Sequence, residues 1–140
     1  MSDSDDLRKR AEAGSVVAQS VLGIQLLFGD DGVAQDLPEA FRWLSAAADR
    51  GVPRASVWLG RMYEDGLATA PDLNRARDLY RFGAVRREFH GCVFLARTYV
   101  APPGDETEAV RWYSAALEIF PEGLDDDPDF DEAKAYISSR

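Results

Sequence analysis

The sequence contains little of what enzymes, metal sites and disulfide scaffolds are made from. Its 140 residues include one cysteine, Cys92, and one histidine, His90. A single cysteine excludes an internal disulfide, so nothing favours an oxidising compartment and we predict a cytoplasmic protein. A nucleophilic catalytic set would depend on His90, and on a helix Cys92 would point to another side. We therefore predict a protein that is not an enzyme and holds no cofactor.

Candidate metal ligands are also scarce. Zinc sites use several histidine or cysteine ligands, and only His90 and Cys92 are present. The run 125–129 places carboxylates at alternate positions, as a calcium loop does. However, Phe130 stands where that loop has its glycine and Tyr136 where it has its glutamate. We predict no metal site, and we expect the aspartates of this run to cap the last helix.

Long hydrophobic runs and a net basic charge are both absent. The most apolar stretch, Val16 to Phe28, is interrupted by Gln19, Ser20 and Gln25. The first six residues are acidic, unlike the basic start of a secretory signal. We interpret the apolar stretch as a buried helix and predict no membrane contact. The formal net charge of −9 argues against nonspecific nucleic-acid binding, which needs a net basic surface.

The negative charge is concentrated at one end of the chain. Residues 105–140 hold 11 acidic and 3 basic side chains, whereas residues 75–97 carry six arginines and only two acids. A locally positive stretch thus precedes a strongly negative tail. The simplest interpretation of these charges is a solvated, soluble surface.

Length and composition are those of one globular domain. With 46% hydrophobic and 29% charged residues, the chain is too apolar for a disordered protein. Folding at this length buries roughly 70% of the surface of the unfolded chain. We predict that residues 1–140 form a single domain.

A repeated pattern of small and large apolar residues decides the predicted fold. Its first copy consists of Gly14, Ala18, Leu22, Gly23 and Gly29. The same residues recur at identical spacing 37 positions later, as Gly51, Ala55, Leu59, Gly60 and Gly66. A weaker third copy contains Gly91, Leu95, Ala96 and Tyr99. Repetition at this period is typical of helical repeat proteins.

A second pattern alternates with the first and begins with an aspartate each time. Its three copies are Asp36, Ala40, Trp43, Leu44, Ala47; Asp72, Ala76, Leu79, Tyr80, Gly83; and Asp105, Ala109, Trp112, Tyr113, Ala116. Both patterns have the period of an amphipathic helix. The aspartates can cap helix N-termini, and Gly29, Gly51 and Gly66 are placed where helices end. We expect the large aromatic residues of these patterns, with Tyr63 and Tyr99, to lie in the core.

These residues resemble the Sel1-like repeat (SLR) family, which is related to the tetratricopeptide repeat. The resemblance rests on Leu59, Gly60, Tyr63, Gly66 and the repeat length, and it covers roughly residues 11–117. It implies an all-α fold, a short right-handed α-solenoid of about three helix-turn-helix repeats with capping helices. The predicted parts are an N-terminal half-repeat at 1–14, repeats at 15–50, 51–86 and 87–119, and an acidic C-terminal cap at 120–140.

The resemblance also implies a binding surface, because the first helices of such repeats line the concave side. Superposing the copies aligns Val17 with Arg54 and His90, Val21 with Trp58 and Phe94, and Ile24 with Arg61 and Arg97. The candidate partner-binding groove is therefore Arg54, Trp58, Arg61, His90, Phe94 and Arg97. Aromatic residues and arginine often dominate binding energy. The alternative is that Trp58 and Phe94 are core residues covered by arginine stems.

Two functions fit these predictions. The first is a non-catalytic protein–protein interaction module, an adaptor that binds an acidic or carboxylate-bearing segment of a partner protein in the groove. The alternative is an immunity-type inhibitor that neutralises a toxin or enzyme, with the acidic C-terminal helix covering a basic active site. We expect a monomer in either case.

Overall fold

A computed structural model describes residues 3–119 and 127–140. Within these ranges the chain forms eight α-helices and no β-strand. The helices are α1 Asp3–Glu12, α2 Val16–Phe28, α3 Leu37–Asp49, α4 Pro53–Asp65, α5 Leu73–Ala84, α6 Phe89–Val100, α7 Glu106–Ile119 and α8 Pro128–Ser138. The predicted all-α, solenoid-like repeat fold is confirmed. The first residues of the predicted C-terminal cap, including the aspartates at 125 and 126, lie outside the described ranges.

The chain divides into two compact units. The N-terminal unit comprises Met1–Leu79 and the C-terminal unit comprises Tyr80–Arg140. The predicted single domain, its repeat boundaries and its right-handed twist stay predictions. None of the helices in the described part of the chain is long and apolar enough to cross a bilayer.

The three aspartates that open the second pattern each cap a helix. The Asp36 carboxylate accepts a hydrogen bond from the Glu39 amide at 3.0 Å. Asp72 and Asp105 accept equivalent bonds, from the amides of Arg75 at 3.0 Å and Glu108 at 3.1 Å. Each bond satisfies a backbone donor that has no partner within its own helix. The predicted starts of α3, α5 and α7 are therefore confirmed.

Glycines end the helices as predicted. Gly29 and Gly66 directly follow α2 and α4, with φ angles of +71° and +69°. Gly51 has φ +82° one residue after the cap of α3. A side chain disfavours these left-handed conformations, whereas glycine adopts them freely. The glycines of the first pattern thus turn the chain from one helix to the next.

The core of the N-terminal unit forms where α2 crosses α3. Leu22, Leu26 and Leu44 are almost completely buried. At the crossing, a β-carbon on Gly23 would lie 2.8 Å from Cγ of Leu44, closer than such atoms approach. The adjacent leucine and glycine that recur in the pattern therefore have a packing role, because only glycine lets these helices approach to this distance.

The core of the C-terminal unit lies between α6, α7 and the end of α5. Tyr80, Leu95 and Tyr113 are buried, and Ala96, which replaces the glycine of the other copies, is completely buried. The third pair of helices therefore forms in spite of that replacement. Of the other aromatic residues predicted for the core, Trp43 is buried, whereas the side chains of Tyr63, Tyr99 and Trp112 are half-buried.

Candidate partner-binding surface

In the N-terminal unit, the predicted groove residues share one face of α4. Arg54, Trp58 and Arg61 follow each other at helical spacing, and the first of them is exposed. Trp58 is half-buried and packs against the core of the unit. Arg61 pairs with Asp65 at 3.1 Å, one helical turn away. Arg54 is exposed, and it makes no ion pair with another described residue.

Exposed apolar side chains of α2 extend this face. Val17, Val21 and Phe28 are 69%, 40% and 49% exposed. The ring of Phe28 meets that of Trp58 edge-on, with 5.0 Å between their centroids. A surface cavity of the same unit is lined by Val21 and Arg54, and also by Asp30 and Asp31. The α2–α4 face therefore combines apolar contact area with charges of both signs, a combination that suits an amphipathic segment.

In the C-terminal unit, the aromatic residue of the predicted groove is buried. Phe94 is 4% exposed, and its ring lies 5.6 Å from Tyr80 and 5.7 Å from His90 between centroids. The two aromatic residues of the predicted groove therefore differ in exposure. Phe94 is a core residue, whereas Trp58 at the equivalent position of α4 keeps part of its surface exposed.

The arginine of the same row is engaged by the acidic helix α8. The Arg97 guanidinium binds both carboxylate oxygens of Glu132, at 3.1 and 3.0 Å, and Oδ1 of Asp129 at 2.9 Å. It also lies 5.4 Å from the centre of the Phe94 ring. Burial lowers the pKa of Arg97. The hydrogen bond and charge of Glu132, together with the charge of Asp129, raise this pKa by more than burial lowers it. The net pKa is above the ordinary value, so the cation is permanent.

His90, the first residue of this row, also faces α8. Its Nε2 lies 3.6 Å from Oδ2 of Asp127 and 3.7 Å from Oδ2 of Asp129. The predicted role of Asp127 as a helix cap is confirmed, because its Oδ1 accepts the Asp129 amide hydrogen at 2.7 Å. The side chains of all three residues are about one fifth to one quarter exposed.

The residue that sequence reasoning missed is Glu132. Its carboxylate accepts a 2.6 Å hydrogen bond from the Tyr113 hydroxyl in addition to those from Arg97. Burial and this hydrogen bond raise the pKa of Tyr113, so the hydroxyl remains a donor at any physiological pH. The sequence does show a positive stretch at 75–97 followed by an acidic tail. It does not specify which acidic residue pairs with which basic residue.

Cys92 shows no features of a reactive thiol. It is completely buried, and its sulfur lies 3.7 Å from the carbonyl oxygen of Ala84. Burial raises the pKa of the Cys92 thiol to about 12. A protonated, inaccessible thiol is neither a nucleophile nor a ready metal ligand.

Paired helices joined by glycine turns and capped by aspartates define a helical repeat protein. The Sel1 repeat model matches three stretches, residues 16–52, 53–84 and 92–118, which together exceed half of the chain. The chain therefore belongs to the Sel1 repeat family. Repeats of this family generally mediate protein–protein interactions.

Several solved structures are similar to the chain, and two of them illustrate the match. One is a protective antigen present in uropathogenic Escherichia coli strains that displays an SLR fold, with 27% identity and a TM-score of 0.83 over 97% of this chain. The chain spans only 28% of the length of that antigen. The other is a Sel1 repeat protein from Oxalobacter formigenes, with 26% identity and a TM-score of 0.73. Here the match covers 81% of this chain and 88% of the other. No curated protein gives a match.

Proposed function

We propose that this chain is a non-catalytic adaptor that binds an acidic segment of a partner protein. The proposed surface is the α2–α4 face of the N-terminal unit, with Arg54 and Arg61 as cationic contacts and Trp58 as the aromatic contact. Val17 and Val21 supply apolar area beside them. We place the partner on this face because the matching row of α6 is already covered by α8.

The observation that carries the proposal is how that α6 row is used. His90, Phe94 and Arg97 align with the three residues of α4 in the repeat pattern, and they support an acidic helix of the chain itself. Arg97 binds two carboxylates of α8 while lying against an aromatic ring. An arginine and an aromatic ring at these repeat positions therefore suit an acidic helix. Trp58 is more exposed than Phe94, and Arg54 is an exposed cation at the position of His90. Arg61 is about as exposed as Arg97 and pairs with Asp65.

The test is capture of partners from cells of the source organism, with immobilised full-length chain. We expect proteins retained by the wild type to be lost with Arg54→Glu and with Trp58→Ala, and the charge reversal to have the larger effect if the segment is acidic. Arg111→Glu is the matched control, because Arg111 is an exposed arginine of α7 outside the proposed face. Retention of the same proteins by all four forms would exclude this face as the binding surface.

The immunity-type inhibitor remains the second candidate. It required the acids of the C-terminal helix to cover a basic active site in another protein. Asp129 and Glu132 instead contact Arg97 within the chain, which leaves fewer charges of α8 for a partner and favours the adaptor. Identification of a captured partner as a toxic enzyme that loses activity in the complex would reverse this preference.

A further inference from the structure

A small cluster of possible metal ligands lies where α8 begins against α6. One imidazole nitrogen, from His90, and two carboxylate oxygens, from Asp127 and Asp129, lie within 4.8 Å of one another. The histidine comes from α6 and the aspartates from the start of α8. The aspartates follow the histidine by 37 and 39 positions in sequence, so only folding brings them to it.

The spacing of these atoms suits a shared cation better than hydrogen bonds between the side chains. Nε2 of His90 lies 3.6 and 3.7 Å from the nearest carboxylate oxygens, beyond an ordinary hydrogen bond. Two ligands at zinc–nitrogen and zinc–oxygen bond lengths on a tetrahedral ion are separated by about 3.3 Å. Shortening each of these distances by a few tenths of an ångström would bring the imidazole to ligand–ligand distance from either carboxylate, and the two carboxylate oxygens lie within 4.8 Å of each other.

Each carboxylate has one oxygen held by another group and the other oxygen directed at His90. Oδ1 of Asp127 accepts the Asp129 amide hydrogen at 2.7 Å, and its Oδ2 faces the imidazole. Oδ1 of Asp129 accepts from Arg97 at 2.9 Å, and its Oδ2 faces the same nitrogen. Such outer hydrogen bonds orient the ligands of metal sites. The cluster thus has three inner ligands and, on two of them, the supporting contacts that fix their direction.

We propose that His90, Asp127 and Asp129 bind a divalent transition-metal ion, of which zinc is the best fit. Imidazole nitrogen and carboxylate oxygen are ordinary zinc ligands, and three protein ligands leave a fourth position for water. The two carboxylates balance the charge of the ion, while Glu132 neutralises Arg97 next to them. This site was excluded at the level of sequence because only histidine and cysteine were counted as zinc ligands. The bound ion links the first turn of α8 to α6 and stabilises that contact.

The test uses the full-length chain, freed of metal with a chelator and titrated with zinc chloride by calorimetry. We expect one zinc ion per chain. His90→Gln and Asp127→Asn each weaken binding by at least about tenfold. Asp127→Asn is the sharper variant, because asparagine is as good a helix N-cap as aspartate and the start of α8 is kept while a charged ligand is lost.

Two matched controls separate this site from general attraction of zinc to an acidic surface. Asp131→Asn removes the same charge from an exposed position on α8, and Cys92→Ala removes the thiol; we expect both to bind zinc as the wild type does. A second readout is the thermal midpoint, which zinc should raise in the wild type and in both controls but not in Asp127→Asn. The proposal is overturned by the absence of saturable binding at millimolar zinc, or by equal binding in His90→Gln and wild type.

Discussion

The Arg97 guanidinium and the Glu132 carboxylate form a bidentate ion pair, with Nε bound to one carboxylate oxygen at 3.1 Å and Nη2 to the other at 3.0 Å. The planar guanidinium matches the carboxylate in this geometry, which makes the contact stronger and more directional than a lysine pair. It joins α6 to α8, two helices that are not neighbours in sequence. The acidic C-terminal helix is thus a specific part of the C-terminal unit as well as a source of negative charge.

We expect Arg97→Ala to lower the free energy of unfolding by about 2 kcal/mol, because two carboxylates of α8 would lose their cation. The loss is smaller than for a fully buried pair, since the Arg97 side chain is 34% exposed. Urea unfolding followed by circular dichroism measures it. Arg111→Ala removes an exposed arginine, and we expect it to cost no more than about 0.5 kcal/mol. Equal effects of the two substitutions would show that the α6–α8 pair contributes nothing specific.

Gly23→Ala should destabilise the N-terminal unit in spite of the better helix propensity of alanine. The new β-carbon would lie 2.8 Å from Cγ and Cδ2 of Leu44, and we expect this overpacking to cost about 1 to 3 kcal/mol. A double-mutant cycle with Leu44→Ala measures how much of this cost comes from contact with the Leu44 side chain. If the clash explains the loss, Gly23→Ala becomes much less costly once Leu44 is alanine. An undiminished penalty would instead point to the Leu44 amide, 3.2 Å from the added atom.

The Glu39 carboxylate should make stability depend on acid pH. The hydrogen bond from Arg8 lowers its pKa most, burial acts in the opposite direction, and the 3.3 Å bond from the Trp43 indole lowers it further. The net pKa lies below the ordinary value, so the stabilisation is present above the pKa of the unfolded chain, about 4.3, and is lost as pH falls through the folded-state value. At neutral pH we expect the free energy of unfolding of the wild type to exceed that of Glu39→Gln by about 1 kcal/mol.

That difference should shrink as the pH is lowered below about 4. Thermal unfolding of both proteins across this range measures it. Glu118→Gln serves as the control, since Glu118 is an exposed carboxylate of α7 for which we expect little change in stability. A constant difference between wild type and Glu39→Gln at every pH would mean that the charge of Glu39 is not what stabilises the fold.

Cys92 should resist thiol reagents as long as the protein is folded. With a pKa of about 12, only about one thiol in ten thousand is ionised at pH 8, and the side chain is completely buried. We expect reaction with a chromogenic disulfide to be more than about a hundredfold slower than that of free cysteine. The same chain in guanidinium chloride should react promptly, with one thiol per chain. Rapid labelling under native conditions would reveal local opening of α6.

Local features of the fold could be predicted from single residues. Asp36, Asp72 and Asp105 cap helices through bonds to an amide three positions away, and such contacts need no knowledge of the rest of the chain. The turn glycines are equally local, because a left-handed backbone is a property of one residue. The exposure of the groove residues was harder. Trp58 and Phe94 occupy the same position of the repeat, yet Phe94 is only 4% exposed whereas Trp58 is half-buried.

The sequence by itself determined the helices, their caps and their pairing, because each depends on contacts within a few residues or on a period that repeats along the chain. Tertiary structure alone decided which acids meet which bases. Arg97 lies 35 positions from Glu132, and several arginines between 75 and 97 offered the same charge to the acidic tail. Charge attraction acts in all directions and does not select a partner, so the choice of Arg97 and His90 was made by the packing of α8, mainly against α7 and also against α6.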